Sequence, residues 1–474
     1  MSQTTLPRPV APPGAPTPSG RPGLLLAAVL TGQFMALLDV SVVNVAGPTL
    51  SADLGASGSA LQLIVAGYTI VYAALIVTGS RLGGMYGYRR LFATGLTVFT
   101  VASLACGIAP GTDTLIAARA VQGAGAALMV PQVLSVIQRQ FQGEARARAL
   151  GTYAAVIAGG AVCGQILGGV LVSADLFGWS WRPVFLINVP VGLVLLALLP
   201  RVMPADRAEV TRGLDPHGLA VVSPAIVLLV VPLVLGHDEG WPLWGWLCMA
   251  ASVVLFGVFA YVERRVARRG GAPLVPGKLL RTPGVTPAAV TLVLVMASYA
   301  GFLFTLALYL QGGRGFSALH AGLVFVPGAT AFALVSLNWQ KLPARWYPSL
   351  PAVAMVPVAV SYAGLAWAQH ADASQGLLIV PLVAVGATLG AAFSPVMALG
   401  MRRVAPADAP DASGVLATVM QFGQVLGVAV FGTVFLEQVA PGRAGHAGWV
   451  TGLGLAGTTL AAAVSALALR RSTR

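Results

Sequence analysis

Apolar residues in this chain fall in long, nearly unbroken runs, separated by short stretches rich in glycine, proline and arginine. The runs are long enough for a helix of about 20 residues, which covers the roughly 30 Å hydrocarbon core of a bilayer. Strands of a membrane barrel would be shorter and would alternate in polarity. The pattern predicts helices at 24–48, 58–79, 91–109, 114–137, 150–172 and 184–200. It predicts two more at 217–236 and 244–263, and a last set at 285–311, 318–338, 349–369, 375–400, 412–436 and 447–469. An all-α membrane protein with fourteen spans is therefore expected.

The expected organisation is two six-helix bundles, residues 23–200 and 284–470, with two central linker helices in 214–265. Polar loops at 201–213 and 266–283 flank that central pair, and 471–474 form a short tail. The first 22 residues hold seven prolines and cannot bury a core, so they read as a disordered tail.

Composition sharpens this reading. The chain is 57% hydrophobic and 9% charged with a mean hydropathy of +0.83, too few polar groups to clothe a water-soluble surface. Its 57 glycines and 32 prolines suit membrane helices, where bundle packing re-satisfies the backbone. A net charge of +13 raises the question of nucleic acid, and the placement of the charges answers it. An even number of spans puts both termini on one side. Of 28 basic residues, 24 fall on that side, three (Arg182, Arg314, Arg443) on the other, and Arg119 inside a helix. Such asymmetry marks the majority side as cytoplasmic, and membrane lipid rather than nucleic acid as the partner of the basic residues. Cys106, Cys163 and Cys248 lie in apolar runs without metal-ligand spacing, so no metal site is expected.

Two formally charged residues stand well inside expected spans: Asp39 in the first and Arg119 in the fourth. Each costs about 2.5–3.5 kcal/mol near the bilayer centre, so such residues pair, face a cavity, or both. Their distances from the helix ends, about 22 Å and about 8 Å from opposite sides, place both in the outer half of the core, where they can meet. Burial disfavours a carboxylate's charge and a nearby cation favours it, so water or substrate entering a cavity would shift its protonation. A structural ion pair that fixes helix packing is the plainer alternative.

In the fifth span, Gly151, Gly160, Gly164 and Gly168, with Gly169 beside the last, form a ridge of small residues. Small residues at every fourth position let two membrane helices approach closely. Candidate cavity residues are the intramembrane polar and aromatic groups Gln33, Asn44, Tyr68, Gln122, Asn188, Tyr309, Gln311 and Gln421, each of which could instead make an interhelical hydrogen bond.

Several of these segments together resemble the major facilitator superfamily, specifically its fourteen-helix drug:proton antiporters. The stretch Leu38 to Pro48 resembles that subfamily's first-helix signature, with Asp39 at the acidic position implicated in proton handling. Gly79 to Arg90 is similar to the loop between helices 2 and 3, in which Gly79, Arg81, Gly87, Arg89 and Arg90 take the turn and gating positions. It departs from the family at Gly84, where Asp is usual, and at Met85, where a basic residue is usual. Leu115 to Gly123 resembles the fourth-helix motif whose arginine, here Arg119, is assigned to proton transfer. The glycines from Gly151 to Gly169 match the fifth-helix antiporter motif, with Gln165 where proline is commonest; that motif marks exporters and is held to pack helix 5 against the opposite half. Trp181 to Pro190 and Tyr309 to Gln311, with Gly322 and Pro327, look like the same subfamily.

The resemblance implies the major facilitator fold and a proton-coupled secondary transporter. It would export small amphiphilic or lipophilic drugs or antibiotics across the cytoplasmic membrane, with protons as the coupled partner and no cofactor beyond the proton gradient. Uptake or metabolite exchange is the alternative within that class, and a non-transporting receptor or scaffold the alternative outside it. An enzyme would need clustered nucleophiles, metal ligands or paired acids within the spans, and the five histidines lie in expected loops or at helix ends.

Overall fold

The computed structural model describes residues 22–204, 216–236, 239–271, 273–275, 277–404, 409–439 and 443–472. The expected amino-terminal tail, most of the 201–213 loop and the last two residues lie outside them. The described chain is helical throughout, without strands. Its first part runs α1 (Pro22–Leu54), α2 (Gly58–Tyr86), α3 (Tyr88–Gly107), α4 (Thr112–Gln140), α5 (Gly143–Ala174), α6 (Pro183–Leu186) and α7 (Asn188–Val202). A central pair follows, α8 (Pro216–Leu235) and α9 (Leu243–Arg268), then the short α10 (Gly277–Arg281). The last part is α11 (Val285–Leu308), α12 (Ala318–Asn338), α13 (Leu350–His370), α14 (Gln375–Met401), α15 (Ala409–Gln438) and α16 (Ala444–Ser472).

Among the described residues, twelve helices are long and apolar enough to cross a membrane, and the chain is a multi-pass membrane protein. The apolar stretches described in α5 and α8 are shorter, Cys163–Ala174 and His217–Leu233, so twelve of the fourteen expected spans are met by length and composition.

Three boundaries differ from expectation for identifiable reasons. Helix α2 does not stop at 79 but runs to Tyr86, so Gly79, Arg81 and Gly84 are helical rather than part of a turn. Gly79 and Gly83 serve close packing: a side chain at the first would collide with the Ala127 carbonyl of α4 and at the second with Gln132. The turn itself is made at Gly87, whose φ of 97° suits a residue without Cβ, and Arg89 and Arg90 already belong to α3. The expected span at 184–200 is broken at Ile187 into α6 and α7, because Pro190 has no N–H to give the Leu186 carbonyl four residues earlier. The expected loop at 266–283 is partly helical, since α9 extends to Arg268 and α10 occupies Gly277–Arg281.

Packing gives two apolar cores, one drawn from α1 to α7 around Phe92, Phe99 and Met129, the other from α11 to α16 around Met355, Tyr362 and Phe431. A third joins them through Val42, Ile64, Phe304 and Val425. Across the two groups, α5 packs on α12, α2 on α15 and α1 on α11. The α8–α9 hairpin lies beside the α2–α15 contact, with Thr433 donating to the Leu233 carbonyl (3.0 Å) and Ser252 to that of Ala225 (2.6 Å).

Candidate functional site

Helix α1 carries three different faces. Gln33, Leu37, Val40 and Asn44 recur at helical spacing and line a central cavity of about 1020 Å³ between the two groups of helices. Leu38, Ser41 and Val42 face α5, where side chains at Gly164 and Gly168 would press on their backbone and Cβ atoms. Asp39 points into the remaining sector and is fully buried.

Around Asp39 four helices supply polar groups. Arg119 of α4, also fully buried, pairs with the carboxylate through Nη1. Gln122, one turn on, donates from Nε2 to Asp39 Oδ1 (2.7 Å) and to Ser103 Oγ of α3 (2.8 Å), and accepts on Oε1 from Arg119 (2.6 Å). Asn188 at the start of α7 donates to the same carboxylate oxygen (3.2 Å). Arg119 Nε donates to the Ile64 carbonyl of α2 (3.0 Å), and its guanidinium lies 4.7 Å from the Tyr68 ring and 5.7 Å from that of Phe185. A buried ion pair offsets its desolvation only when geometry is good and the leftover hydrogen-bonding capacity is met, and here it is met from four helices.

The pair does not face the cavity. Asp39, Arg119, Gln122 and Asn188 all stand behind its wall, and Tyr68, which lines the cavity and stacks on Arg119, lies between. Of the expected cavity residues, Gln33, Asn44, Tyr68 and Gln421 line it, Gln122 and Asn188 belong to the Asp39 cluster, and the other two lie elsewhere. Tyr309 donates to the Gln369 carbonyl (3.4 Å) and Gln311, in a π-helical turn after α11, to that of Val45 (2.9 Å). Those bonds fasten α11 to its neighbours, so Tyr309 and Gln311 act in packing at one end of the bundle.

At that end the halves touch. Gln311 ties α11 to α1, Gly432 of α15 packs on Gln62 of α2, and Ser173 of α5 accepts from the Leu319 N–H of α12 (3.0 Å). Trp181 and Arg182 reach Asp53 at the end of α1 (2.8 and 3.4 Å), which anchors the segment leading to Asn188. Toward the opposite end the cavity reaches Arg81, Gly84, Tyr88 and Arg139, at the ends of α2, α3 and α4. Arg81 donates to the Pro273 carbonyl in the loop after α9.

The antiporter-motif glycines divide. Gly160, Gly164 and Gly168 seat α5 on α1, within the same group of helices, while Gly169 meets α12, where a Cβ would lie 2.8 Å from the Ala318 carbonyl. Residues four apart share a face, and Gly169 is turned about 100° from that ridge, so in this conformation the ridge faces α1 and Gly169 faces α12. Gly151 lies within α5, and its surroundings fall outside the described residues.

Sequence reasoning did not single out Tyr72, Tyr153, Tyr299, Phe332 and Phe393, which line the cavity. Tyr299 and Phe332 stack at 6.4 Å between ring centres, and Phe332 meets Phe393 at 6.2 Å. Aromatic residues in an apolar run carry no mark that separates cavity from core; the one available signal was the spacing of Tyr72 one turn from Tyr68.

The chain's likenesses agree with this architecture. The family model described as Major Facilitator Superfamily matches residues 29–428. A probable actinorhodin transporter of Streptomyces coelicolor is 37% identical over 89% of this chain and 73% of its own length. A cephamycin export protein of Amycolatopsis lactamdurans is 35% identical (86% and 84% covered), as is a methylenomycin A resistance protein of Streptomyces coelicolor (87% and 85%). Among solved structures, an auto-inhibited peptide transporter of the POT family superposes with a TM-score of 0.69 at 14% identity, covering 94% of this chain and 97% of that one. The xylose transporter of E. coli gives 0.62 at 13% identity, covering 93% and 95%. The extent of the family match and the identity to these relatives show that the chain is a transporter, not an enzyme, and belongs to the major facilitator superfamily.

Proposed function

We propose that this protein exports small amphiphilic, antibiotic-like molecules across a bacterial cytoplasmic membrane in exchange for protons. The activities of its relatives, export of or resistance to actinorhodin, cephamycin and methylenomycin A, support the export direction. In this reading α5 and α8 complete fourteen spans, α1–α7 and α11–α16 form two six-helix bundles, and α8–α9 is the linker pair. Both termini are cytoplasmic, so the end the cavity reaches through Arg81 and Arg139 faces the cytoplasm.

One observation carries the proposal: a cavity large enough for a drug-sized molecule is backed, one side chain away, by a buried carboxylate and guanidinium. The bundles rock about the cavity and expose it alternately. With the outer contacts closed, Asp39 is ionised and held by Arg119, Gln122 and Asn188. Opening the outer end admits water past Tyr68, and a proton from outside neutralises Asp39 and frees Arg119 from it. The protonated state then returns inward and discharges its proton. Coupling needs only that the two conformations bind proton and substrate with different affinity. The charge of Asp39 and its location beside the cavity wall are the elements this cycle uses.

The test is drug accumulation in cells lacking their own pumps. Expression should lower steady-state accumulation of a fluorescent aromatic substrate, and a protonophore or Asp39→Asn should restore it to the level of cells without the protein. Accumulation that stays low in the presence of the protonophore would remove proton coupling from the account.

A further inference from the structure

We propose that the compound carried in the central cavity is a planar aromatic bearing several hydroxyl groups, uncharged or anionic at neutral pH, and that permanent cations are poor substrates. This rests on the cavity being the transport site, as proposed above. Among its described lining residues there is no carboxylate, and its two formal charges are the guanidinium groups of Arg81 and Arg139. The one nearby acid, Asp39, is walled off and already paired with Arg119. Of the remaining acids whose side chains are described, all but Glu263 (Asp53, Asp113, Asp175, Glu239, Asp372 and Glu437) stand at the closed end of the bundle or in the turns beside it, while the side chains of Glu144 and Asp411, at the starts of α5 and α15, fall outside the described residues. A cation entering here would give up water without meeting an opposite charge among the described lining residues.

Aromatic faces can replace a carboxylate as partners for a cation, so the rings already occupied narrow what a cation could use. Two of the tyrosines lining the cavity already hold a guanidinium: Arg119 lies 4.7 Å from the Tyr68 ring centre and Arg139 4.9 Å from that of Tyr88. A ligand cation near either ring would meet like charge. Tyr299, Phe332 and Phe393, on the other side of the cavity, offer ring faces that no guanidinium of the described residues covers, and Phe332 sits between the other two. Such a wall suits a flat, uncharged π-system.

The polar groups of the cavity specify the ligand's edges. Gln33 Oε1 and Asn44 Oδ1 are buried acceptors without a hydrogen-bond partner, three turns apart on the cavity stripe of α1, and Asn44 Nδ2 is already spent on the Val40 carbonyl (3.2 Å). Unmatched buried acceptors call for donors, and on a ligand without positive charge these are hydroxyl groups. Across the cavity Gln424 donates to Gln421 (2.7 Å), which fixes a second amide pair facing the same space.

Equilibrium binding to the purified full-length protein in detergent, followed by ligand fluorescence, tests the class with three flat probes. These are rhein (an anionic hydroxyanthraquinone), anthraflavic acid (a dihydroxyanthraquinone) and ethidium (a permanent cation). Rhein and anthraflavic acid should bind at least roughly tenfold more tightly than ethidium, and the dimethyl ether of anthraflavic acid should lose roughly tenfold against its parent. Gln421→Glu keeps the acceptor that Gln424 uses and adds the missing charge; it should raise ethidium affinity by roughly tenfold and weaken rhein. Ethidium binding as tightly as the anthraquinones, absence of saturable anthraquinone binding, or Gln421→Glu without effect on ethidium in folded protein would each overturn the proposal. No gradient enters the measurement, so the two readings fail separately. A reversed preference removes the substrate class and leaves proton-driven export standing. The expected ranking without gradient-driven movement of rhein in vesicles removes export and leaves the binding class.

Discussion

Two sets of buried glutamines in this protein are in opposite condition. Gln122, in the cluster around Asp39, uses both ends of its amide: Oε1 accepts from Arg119 and, at 3.8 Å, from Cys106, and Nε2 donates to Asp39 and Ser103. Gln62 of α2 and Gln165 of α5 are buried about as deeply, yet neither end of either amide has a hydrogen-bond partner among the described residues. Both stand where the halves meet at the closed end, Gln62 against Gly432 of α15 and Gln165 on the stretch of α5 that packs on Gly322 of α12. A satisfied polar cluster lies within one bundle and holds its helices in register, whereas unsatisfied amides at a contact between bundles penalise that contact. In the proposed rocking cycle the first belongs to a moving body and the second to the surface along which the two bodies part.

The most severe way to break the comparison is to remove half of the satisfied pair. Arg119→Leu leaves Asp39 buried without its cation and should lower the stability of the detergent-solubilised protein by about 3–5 kcal/mol, while the double change Asp39→Leu and Arg119→Leu should recover most of that loss. Thermal unfolding of the three variants shows whether the coupling exists; a double variant no more stable than Arg119→Leu would argue against it.

Smaller and opposite in sign is the effect expected at the contact. Gln62→Leu and Gln165→Leu each delete an unmatched amide and should stabilise the closed end, outer in the proposed orientation, by about 1–3 kcal/mol. The same variants should slow transport in the proposed cycle, because its outward-open state loses ground by the same amount. Labelling of a cysteine introduced at the outer end would report the shift as reduced reactivity, and unchanged reactivity in both variants would show that the amides impose no penalty there.

Least disruptive is Tyr68→Phe, which keeps a ring face over Arg119 and should leave stability within about 0.5 kcal/mol, whereas Tyr68→Leu loses the cation–π contact, worth about 0.5–2 kcal/mol. Equal loss in both would mean that the hydroxyl, not the ring, is what matters.

Much of this was legible in the chain, and the limits have physical causes. Asp39 and Arg119 stood out because charge in a membrane helix is costly, and matching depths allowed them to meet. The cavity stripe Gln33, Val40, Asn44 is visible as helical spacing once a polar residue in a span is taken as a signal. The division of the α5 glycines follows from the 100° step between Gly168 and Gly169, but which neighbour each face meets depends on the pairing of helices far apart in sequence, and local pattern does not encode that. Gly79 to Gly84 read as a turn because glycine serves both turns and close helix contact, and only the proximity of Ala127 and Gln132 separates the two uses. Gln165 was noted only as a departure from proline; that it is buried without partners is a property of the assembled contact.

The central claim is that the charge on Asp39 links the proton gradient to movement of substrate. Proteoliposomes containing wild-type protein or Asp39→Asn, loaded with the same fluorescent substrate and given an imposed pH gradient, test it most directly. Wild-type protein should move substrate against its gradient when ΔpH is applied, and Asp39→Asn should lose that response while still exchanging labelled for unlabelled substrate across the membrane. Gradient-driven transport by Asp39→Asn at the wild-type rate would contradict the account.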